Sequence, residues 1–354
     1  MPFATGFSGR PRTRGRTVNH VQRAVMQDAL RSSAVRRDLR RGVGRTAWVI
    51  TVLLVVVTLA RWFRVDAHDP VLAATSTGAP VVLLPAWAVL AAAVFVRKPV
   101  LYAIALILCI AQVHVTAPLL HGARGLTAAE RSASALHLRL MTLNVKYDVD
   151  DGARVSAQVR AEAPDVVVLN ELSPTTQRHL DLSQYPYSFV DPSSHGYGFG
   201  VWSRWPVAYA FEPRQISQPF HTGFVSAPGH SFALVQIHTL SPVSPSRAGI
   251  WHSQLRDLRR VLATPYPTTI VAGDFNASRS DHDFASLLGG PGGFADAADG
   301  RGLLPTWPSH ELGFPPLFRL DHIVVSRTIG VRDVHVLGPT GSDHRAVVAD
   351  LAIP

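Results

Sequence analysis

The chain has 354 residues, of which 47% are hydrophobic, so it can bury a substantial core within one large domain and an accessory region. Residues 1–45 hold eleven Arg and two acids, which accounts for the whole net charge of +9, whereas the chain from His137 onward holds 17 basic and 20 acidic residues. This distribution excludes a generic polyanion-binding C-terminal domain, and a single cysteine, Cys109, excludes an intramolecular disulfide.

The first predicted element is the Arg-rich tail, residues 1–45. Its polar residues precede the first apolar stretch, which is not the pattern of a cleavable signal peptide. The density of Arg predicts that the tail stays in the cytoplasm. Its conformation is left open between a basic helix on the inner leaflet and a segment without regular structure.

Three apolar runs follow, at about 46–63, 79–96 and 100–120. Each is close to the roughly 20 residues that cross a bilayer as a helix. Buried core helices are the alternative, but three successive runs joined by short links favour a multi-pass protein of the cell membrane. The tail and the link Arg97–Pro99 are predicted to be cytoplasmic, so an odd number of crossings places the rest of the chain outside the cytoplasm.

A linker over 121–135 is predicted to lead into a domain over 136–354. Its strand-like runs, among them "DVVVLN", "TTIVAGDF", "RLDHIVVS" and "RAVVADL", alternate with loops. Helices are predicted at "ARVSAQVRAEA" and "IWHSQLRDLRRVLA". Because these helices are too few to cover every strand crossover, the pattern predicts a mixed α/β domain with two packed sheets rather than a doubly wound sheet.

Polar residues stand at the ends of the predicted strands. Each alone has an ordinary interpretation, as a strand-end cap, a solvated loop residue or a core histidine. If the strand ends converge on one edge of the packed sheets, however, the set is what metal-assisted phosphate chemistry requires. The set consists of Asn144, Glu171, His238, Asp274, Asn276, Asp321, Asp343 and His344.

The chemistry assigns a role to most of this set. Mg²⁺ prefers oxygen ligands and is commonly held by one or two carboxylates together with substrate phosphate, so Glu171 is the first ligand candidate, with Asn144 and Asp343 in support. In-line attack on phosphorus needs an oriented or deprotonated water. His344 is the candidate base or donor, with Asp321 fixing its tautomer. The pair formed by Asp274 and Asn276 is suited to orienting water and phosphate oxygens.

The motifs "LNV", "PDVVVLNEL", "GFGVWSRWP", "IHT", "GDFNA", "PTW", "RLDHI" and "GSDHRAV" resemble, in this order, those of the endonuclease/exonuclease/phosphatase superfamily. The resemblance implies a DNase I-like four-layer α/β sandwich behind the three transmembrane helices, and a divalent-metal phosphoesterase using Mg²⁺, with Mn²⁺ as an alternative. It implies that His238 assists the leaving group, and it leaves open whether Asp274 or His344 accepts the proton of the water.

Four further residues have weaker expectations. Arg204 in "SRWP" shapes a turn or reaches a phosphate, while Thr306 and Trp307 line the cleft or pack in the core; these three are carried as substrate-binding candidates. His322 follows Asp321 within a predicted strand, so its side chain points to the opposite face and is predicted to be structural.

A domain of this kind behind three short spans also resembles, in architecture, an actinobacterial group associated with resistance to vancomycin and teicoplanin. That resemblance implies action on undecaprenyl pyrophosphate or a related envelope lipid. The alternatives are an extracellular nuclease, disfavoured by the acidic balance of the domain, a phospholipid phosphodiesterase, and a catalytically silent binding module. No protein partner is predicted.

Overall fold

The computed structural model describes residues 14–65, 69–123, 125–209, 219–263, 266–289, 293–309 and 313–354. Residues 1–13 of the predicted tail lie outside this set. The described chain forms two compact units. One contains the chain up to Leu53 together with Pro85–Ile107, and the other contains Leu54–Leu84 and Leu108–Pro354.

The N-terminal part of the chain is helical. Three helical segments are long and apolar enough to cross a membrane, namely Val25–Trp62, Ala79–Val96 and Pro99–Leu120, as predicted. The helices are α1 Arg14–Trp62, α2 Pro70–Thr77, α3 Ala79–Val82, α4 Pro85–Val96 and α5 Pro99–Leu120. Two details differ from the expectation. The tail from Arg14 continues directly into the first span, and the second span is divided before Pro85, which has no N–H for helical bonding.

The first unit has a small core of short side chains. Ala47 of α1, Val89 and Ala93 of α4, and Leu101 and Ala105 of α5 pack together there. Large apolar side chains on the same helices point outward; Val52, Val94 and Ile107 are each more than half exposed. Small residues between helices and large apolar residues outside are typical of helices that face lipid.

The second unit contains two sheets and eight of the described helices or parts of helices. Its strands are β1 Leu136–Asn144, β2 Val166–Asn170, β3 Tyr187–Asp191, β4 Phe199–Ser203, β5 Val207–Tyr209, β6 Phe220–Ala227, β7 His230–His238, β8 Thr269–Asp274, β9 Phe294–Asp296, β10 Asp321–Ser326, β11 Gly330–Val336 and β12 Val347–Ile353. Its further helices are α6 Gly152–Glu162, α7 Pro174–His179, α8 Pro245–Val261 and α9 His282–Leu288. The described strands form one sheet in the order β11-β12-β1-β2-β4-β3 and another in the order β5-β6-β7-β8-β10-β9.

The alternation of side chains along the strands builds four layers. In β1, Leu138 and Leu140 face the other sheet, while Met141 and Leu143 face the layer that contains α6. In β8, Ile270 joins the core between the sheets. Its neighbours on the opposite face pack with α8 and α9. The central strands are apolar throughout because both of their faces are buried, and the predicted four-layer α/β sandwich is confirmed.

The topology decides where the strand ends lie. β1 pairs with β2, and β7 with β8, in parallel, so the carboxyl ends of each pair share an edge. β10 is antiparallel to β8 and begins at that edge, with Asp321 opposite Asp274. Gly273 permits the close approach of β8 to β7: its φ is 145°, and a Cβ there would collide with the carbonyl oxygen of Ile237.

Candidate active site

Seven of the predicted side chains line one cleft at the shared edge of the two sheets. They are Glu171, His238, Asp274, Asn276, Trp307, Asp343 and His344. The cleft has a volume of about 980 Å³. Asn144 and Asp321 lie immediately beneath, each bonded to a member of this set. Residues that are up to two hundred positions apart in the chain therefore meet in one place.

Asn144 holds two carboxylates at the floor of the cleft. Its side-chain amide donates to Glu171 Oε1 at 2.9 Å and to Asp274 Oδ2 at 3.1 Å. The side-chain oxygen of Asn144, Oδ1, accepts from the backbone N–H of Lys146 at 3.0 Å, which fixes the orientation of the side-chain amide. Glu171 follows the end of β2 with a left-handed φ of 55°, a strained conformation that typically marks functional positions.

His238 and Asn276 stand on one side of Asp274. His238 Nε2 lies 3.4 Å from Glu171 Oε1 and 3.8 Å from Asp274 Oδ2. The backbone N–H of Asn276 donates to Asp274 Oδ1 at 2.7 Å, and its side-chain amide donates to the carbonyl of Thr239 at 2.9 Å. Asn276 also has a left-handed φ, of 45°, so the turn after β8 is shaped to aim both side chains into the cleft.

His344 stands on the other side, supported by Asp321. His344 Nδ1 and Asp321 Oδ2 are 2.8 Å apart and both side chains are buried. His344 Nε2 lies 3.8 Å from Asp274 Oδ2, so the ring bridges the two carboxylates. Burial lowers the pKa of His344, but the charges of Asp321 and Asp274 outweigh it and raise the pKa to about 10. Burial raises the pKa of Asp274 to about 6, against the opposing charge of His344.

Of the predicted substrate-binding residues, one lies beside Asp343 in the cleft and another is buried. Trp307 lines the cleft and its indole N–H donates to Asp343 Oδ2 at 3.4 Å. Thr306 is fully buried, and its hydroxyl accepts from the backbone N–H groups of Leu320 and Asp321 at 3.0 and 3.3 Å. Thr306 therefore positions the start of β10 and does not line the cleft, which corrects that expectation.

The expectation for Arg204 is also corrected. It follows Ser203, and in the register of β4 against β2 Ser203 lies opposite Val166, at the end of the sheet away from Glu171. There Arg204 forms an ion pair with Asp165 at 3.3 Å and donates to the carbonyl of Ala163. Because β4 is antiparallel to β2, its carboxyl end lies at the edge opposite the cleft, so Arg204 is a structural residue.

The donor set fits a hard divalent cation. Carboxylate and amide oxygens converge on the cleft floor, and the buried Oδ1 of Asp321 has no hydrogen-bond partner among the described groups. Ligand atoms of Asp274, Asp321 and His344 lie within 4.8 Å of one another and could hold a metal. In this trio, however, Asp321 and His344 are already bonded to each other, so it is better arranged for moving a proton, and Glu171 remains the ligand candidate that is open to the cleft.

Other residues of the cleft escaped the sequence analysis. The backbone N–H of Tyr147 donates to Glu171 Oε2 at 3.2 Å, and its ring lines the cleft. Pro70, Ala74 and Thr77 of the segment between the first two spans form part of the wall, and so does Arg247 of α8. No local pattern in the sequence connects residues 70–77 with the catalytic motifs, because their proximity exists only in the tertiary structure.

Comparisons with known proteins give a matching family model and similar structures. Residues 141–344 match the model of the "Endonuclease/Exonuclease/phosphatase family". TDP2 of D. rerio in complex with a single-stranded DNA product is 21% identical, with a TM-score of 0.51 over 61% of this chain and 98% of that one. A protein of the same family from Beutenbergia cavernae is 23% identical, with a TM-score of 0.47 over 61% of this chain and 72% of that one. No curated protein matches.

Proposed function

The chain belongs to the endonuclease/exonuclease/phosphatase family, and from this premise we propose that it is a membrane-anchored, divalent-metal-dependent phosphoesterase that acts outside the cytoplasm on a lipid-linked phosphate or pyrophosphate. The observation that carries the reaction class is the convergence of Glu171, Asp274 and His344 on one cleft floor. A phosphoric ester hydrolase with a metal requirement needs this combination of oxygen ligands and proton-transfer groups.

The roles follow from the hydrogen bonds. A divalent ion held by Glu171, Asn144 and Asp343 would neutralise charge on the phosphate oxygens. Asp274 and His344 flank the position of the attacking water, while Asp321 holds the ring of His344. The raised pKa of His344 favours Asp274 as the acceptor of the water's proton and His344 as a hydrogen-bond donor to the developing charge. Asn276 orients a phosphate oxygen, and His238 supplies a proton to the leaving oxygen. The water oxygen bonds to phosphorus as the phosphorus–leaving-oxygen bond breaks.

The attachment of the catalytic domain to the helix ends supports a lipid substrate. Arg64, just after α1, forms an ion pair with Asp283 at 2.6 Å. The hydroxyl of Thr77 donates to Asp281, and Ser278 donates to the carbonyl of Thr77 at 2.8 Å. Gly302 donates to the carbonyl of Leu119 at 2.7 Å, at the end of α5. These bonds hold the cleft beside the ends of the candidate spans, where the headgroups of the proposed membrane would lie.

The walls of the cleft support the same conclusion. Away from the catalytic floor they are largely apolar, and Pro70 and Ala74 of α2 contribute to them. Arg247 is the single Lys or Arg among the described residues of the cleft wall. A nucleic-acid groove needs several cations for the phosphate backbone, so this lining favours a hydrocarbon chain attached to a phosphate over DNA. An envelope lipid substrate would account for the role in glycopeptide resistance that the architecture implies.

The proposal is tested with the full-length protein in detergent micelles. We expect Mg²⁺-dependent release of phosphate from a long-chain isoprenyl pyrophosphate, abolished by a chelator and restored by Mg²⁺. Glu171→Gln should lower kcat by at least about a hundredfold without changing the thermal unfolding midpoint. Degradation of plasmid DNA or cleavage of a phospholipid headgroup, with no isoprenoid hydrolysis, would refute the lipid-phosphate assignment and support the corresponding alternative.

A second variant tests the contribution of α2. Ala74→Trp places a large ring on the cleft wall, so we expect kcat/KM for a long-chain isoprenyl pyrophosphate to fall about tenfold more than for a short-chain one. Val71→Trp is the matched control, since Val71 is on the same helix and is 69% exposed outside the cleft. Equal losses for both chain lengths in Ala74→Trp would show that the hydrocarbon does not lie along α2.

A further inference from the structure

Arg247 is the cation of the cleft wall among the described residues. Its Nε is buried without a hydrogen-bond partner among the described groups, and no described carboxylate forms an ion pair with it. Arginine buried at a structural position is normally paired, because leaving a buried donor unsatisfied is costly. Arg319 shows the difference: its Nε is also without a partner, but its Nη2 lies 3.0 Å from a carboxylate oxygen of Asp296, and Arg204 likewise has Asp165 at 3.3 Å.

The position of Arg247 on its helix is also unfavourable for folding. Ser244 caps α8, and its hydroxyl accepts from the backbone N–H of Arg247, the third residue of the helix. Glu is the favoured residue at this position, both because it completes a capping box and because the helix N-terminus carries positive partial charge. A cation here opposes the helix dipole, and the first turn contains no acidic residue to offset it. An unpaired cation at a position that disfavours it indicates a ligand of negative charge.

Arg247 lies on the His238 side of the catalytic floor. The loop after His238, residues 239–243, lines the cleft and leads into the first turn of α8, where Arg247 also lines it. This loop is held in place: Asn276 donates to the carbonyl of Thr239 at 2.9 Å, and the backbone N–H of Leu240 donates to Gln254 at 2.8 Å. A group that leaves toward His238 therefore enters the part of the cleft whose wall includes Arg247.

Beyond Arg247 the wall combines apolar side chains with the amide of Gln254. Ile250 is one turn further along α8, on the same side of the helix, and it also lines the cleft. α2 packs against α8 and adds Ala74. The same wall therefore carries a proton donor, a cation and the apolar side chains of Ile250 and Ala74. A molecule complementary to this wall carries a scissile phosphate, a second phosphate and a hydrocarbon chain.

We propose that Arg247 binds the second phosphate of a lipid pyrophosphate, the one that remains on the lipid, and so selects pyrophosphate over monophosphate substrates. The inference rests on the proposed function. Water attacks the terminal phosphorus, the bond from this phosphorus to the bridging oxygen breaks, and inorganic phosphate and a lipid monophosphate are released. The guanidinium can donate two hydrogen bonds to the leaving phosphate, whose charge increases as the bond breaks.

The test compares an isoprenyl pyrophosphate with the isoprenyl monophosphate of the same chain length, using the full-length protein. For Arg247→Gln we expect kcat/KM on the pyrophosphate to fall about tenfold to a hundredfold, the worth of charge-assisted hydrogen bonds, and to fall much less on the monophosphate. Arg247→Lys should recover part of the loss. The control is Arg256→Gln, which removes an exposed charge from the same helix outside the cleft and should match the wild type.

Arg247→Glu separates binding from folding. Because Glu favours the first turn of a helix, we expect the thermal unfolding midpoint to rise or stay the same while pyrophosphate hydrolysis is lost. A lower midpoint, an equal loss on both substrates in Arg247→Gln, or wild-type kcat/KM on the pyrophosphate would overturn the inference. If the wild type cleaves neither isoprenoid substrate, the proposed function itself fails, which is a different result.

Discussion

Among the buried Asp–His pairs in the described part of the catalytic domain, two have the same Nδ1–Oδ2 distance and different surroundings. His344 Nδ1 lies 2.8 Å from Asp321 Oδ2, and His322 Nδ1 lies 2.8 Å from Asp296 Oδ2. His322 Nε2 is enclosed by backbone carbonyls, 2.9 Å from that of Ala277 and 3.1 Å from that of Arg319. His344 Nε2 instead faces the cleft. The difference shows that an Asp–His pair alone does not define a catalytic histidine. The second ring nitrogen must also face the cleft, where a substrate can reach it.

The two pairs also differ in charge. Asp296 is neutralised on two sides, by His322 and by Arg319, whose Nη2 lies 3.0 Å away. Burial raises the pKa of Asp296, but these two positive groups outweigh it and the net shift is downward. Asp321 instead lies opposite Asp274, a second carboxylate, in the strand pairing. The His322–Asp296 pair therefore stabilises the fold. The His344–Asp321 pair lies beside a second carboxylate, Asp274, and such a cluster of like charges is suited to binding a cation or to catalysing a reaction at phosphate.

The strongest test of this comparison replaces each histidine. For His344→Asn we expect kcat to fall about a thousandfold, the usual contribution of a proton-transfer group. We also expect a lower thermal stability at pH 7, because the raised pKa of His344 shows that its charged ring stabilises the fold between Asp321 and Asp274. For His322→Asn we expect kcat per folded molecule to stay within about twofold of the wild type, because the side chain does not reach the cleft. Activity is measured as phosphate release, with the folded fraction determined by circular dichroism. Similar losses of kcat in both variants would end the distinction.

A second test replaces each aspartate and measures stability. Asp296→Ala leaves Arg319 as a buried cation without its carboxylate, so we expect a loss of about 3–5 kcal/mol in the free energy of unfolding. Asp321→Ala removes a carboxylate that faces Asp274, so relief of repulsion offsets the lost bond to His344 and the expected loss is much smaller. Chemical denaturation of the full-length protein gives both values, and an equal cost for the two variants would contradict the assignment of roles.

Much of the site could be predicted from the sequence, because its residues stand where strand patterns end. Asn144, Glu171, His238 and Asp274 follow apolar runs that are buried on both faces, and parallel pairing brings such ends to one edge. His322 was correctly predicted as structural, because adjacent residues of a strand point to opposite faces. The partner that makes it structural, Asp296, was not identified, since it comes from the separate strand β9.

The residues that were missed or misassigned depend on information that is not local. Whether Arg204 lies at the cleft or away from it depends on the direction of β4 against β2, which the run "FGVWS" does not reveal. Thr306 and Trp307 are neighbours with opposite environments, one buried and one on the cleft wall. In the sequence, the segment 70–77 resembles an ordinary connection between two spans. Only the tertiary structure shows that Ala74 lines the cleft.

The smallest expected effect concerns pH, where the two aspartate clusters have opposite signs. The pKa of Asp274 is raised from 3.8 to about 6, so the folded protein retains a proton that the unfolded chain has lost, and stability falls as the pH rises from about 4 to 6. The pKa of Asp296 is lowered, so its contribution is complete above about pH 4 and is lost only in stronger acid.

In the presence of a chelator, Asp274→Asn should therefore raise the thermal unfolding midpoint by a few degrees at pH 7 and by less at pH 4. Asp296→Asn should lower it at both, and Mg²⁺ should reduce the gain in Asp274→Asn, because a cation offsets the same charge. A gain for Asp274→Asn that is equal at pH 4 and pH 7 would show that its carboxylate carries no burial cost, and the contrast between the two clusters would then rest on His322 and His344 alone.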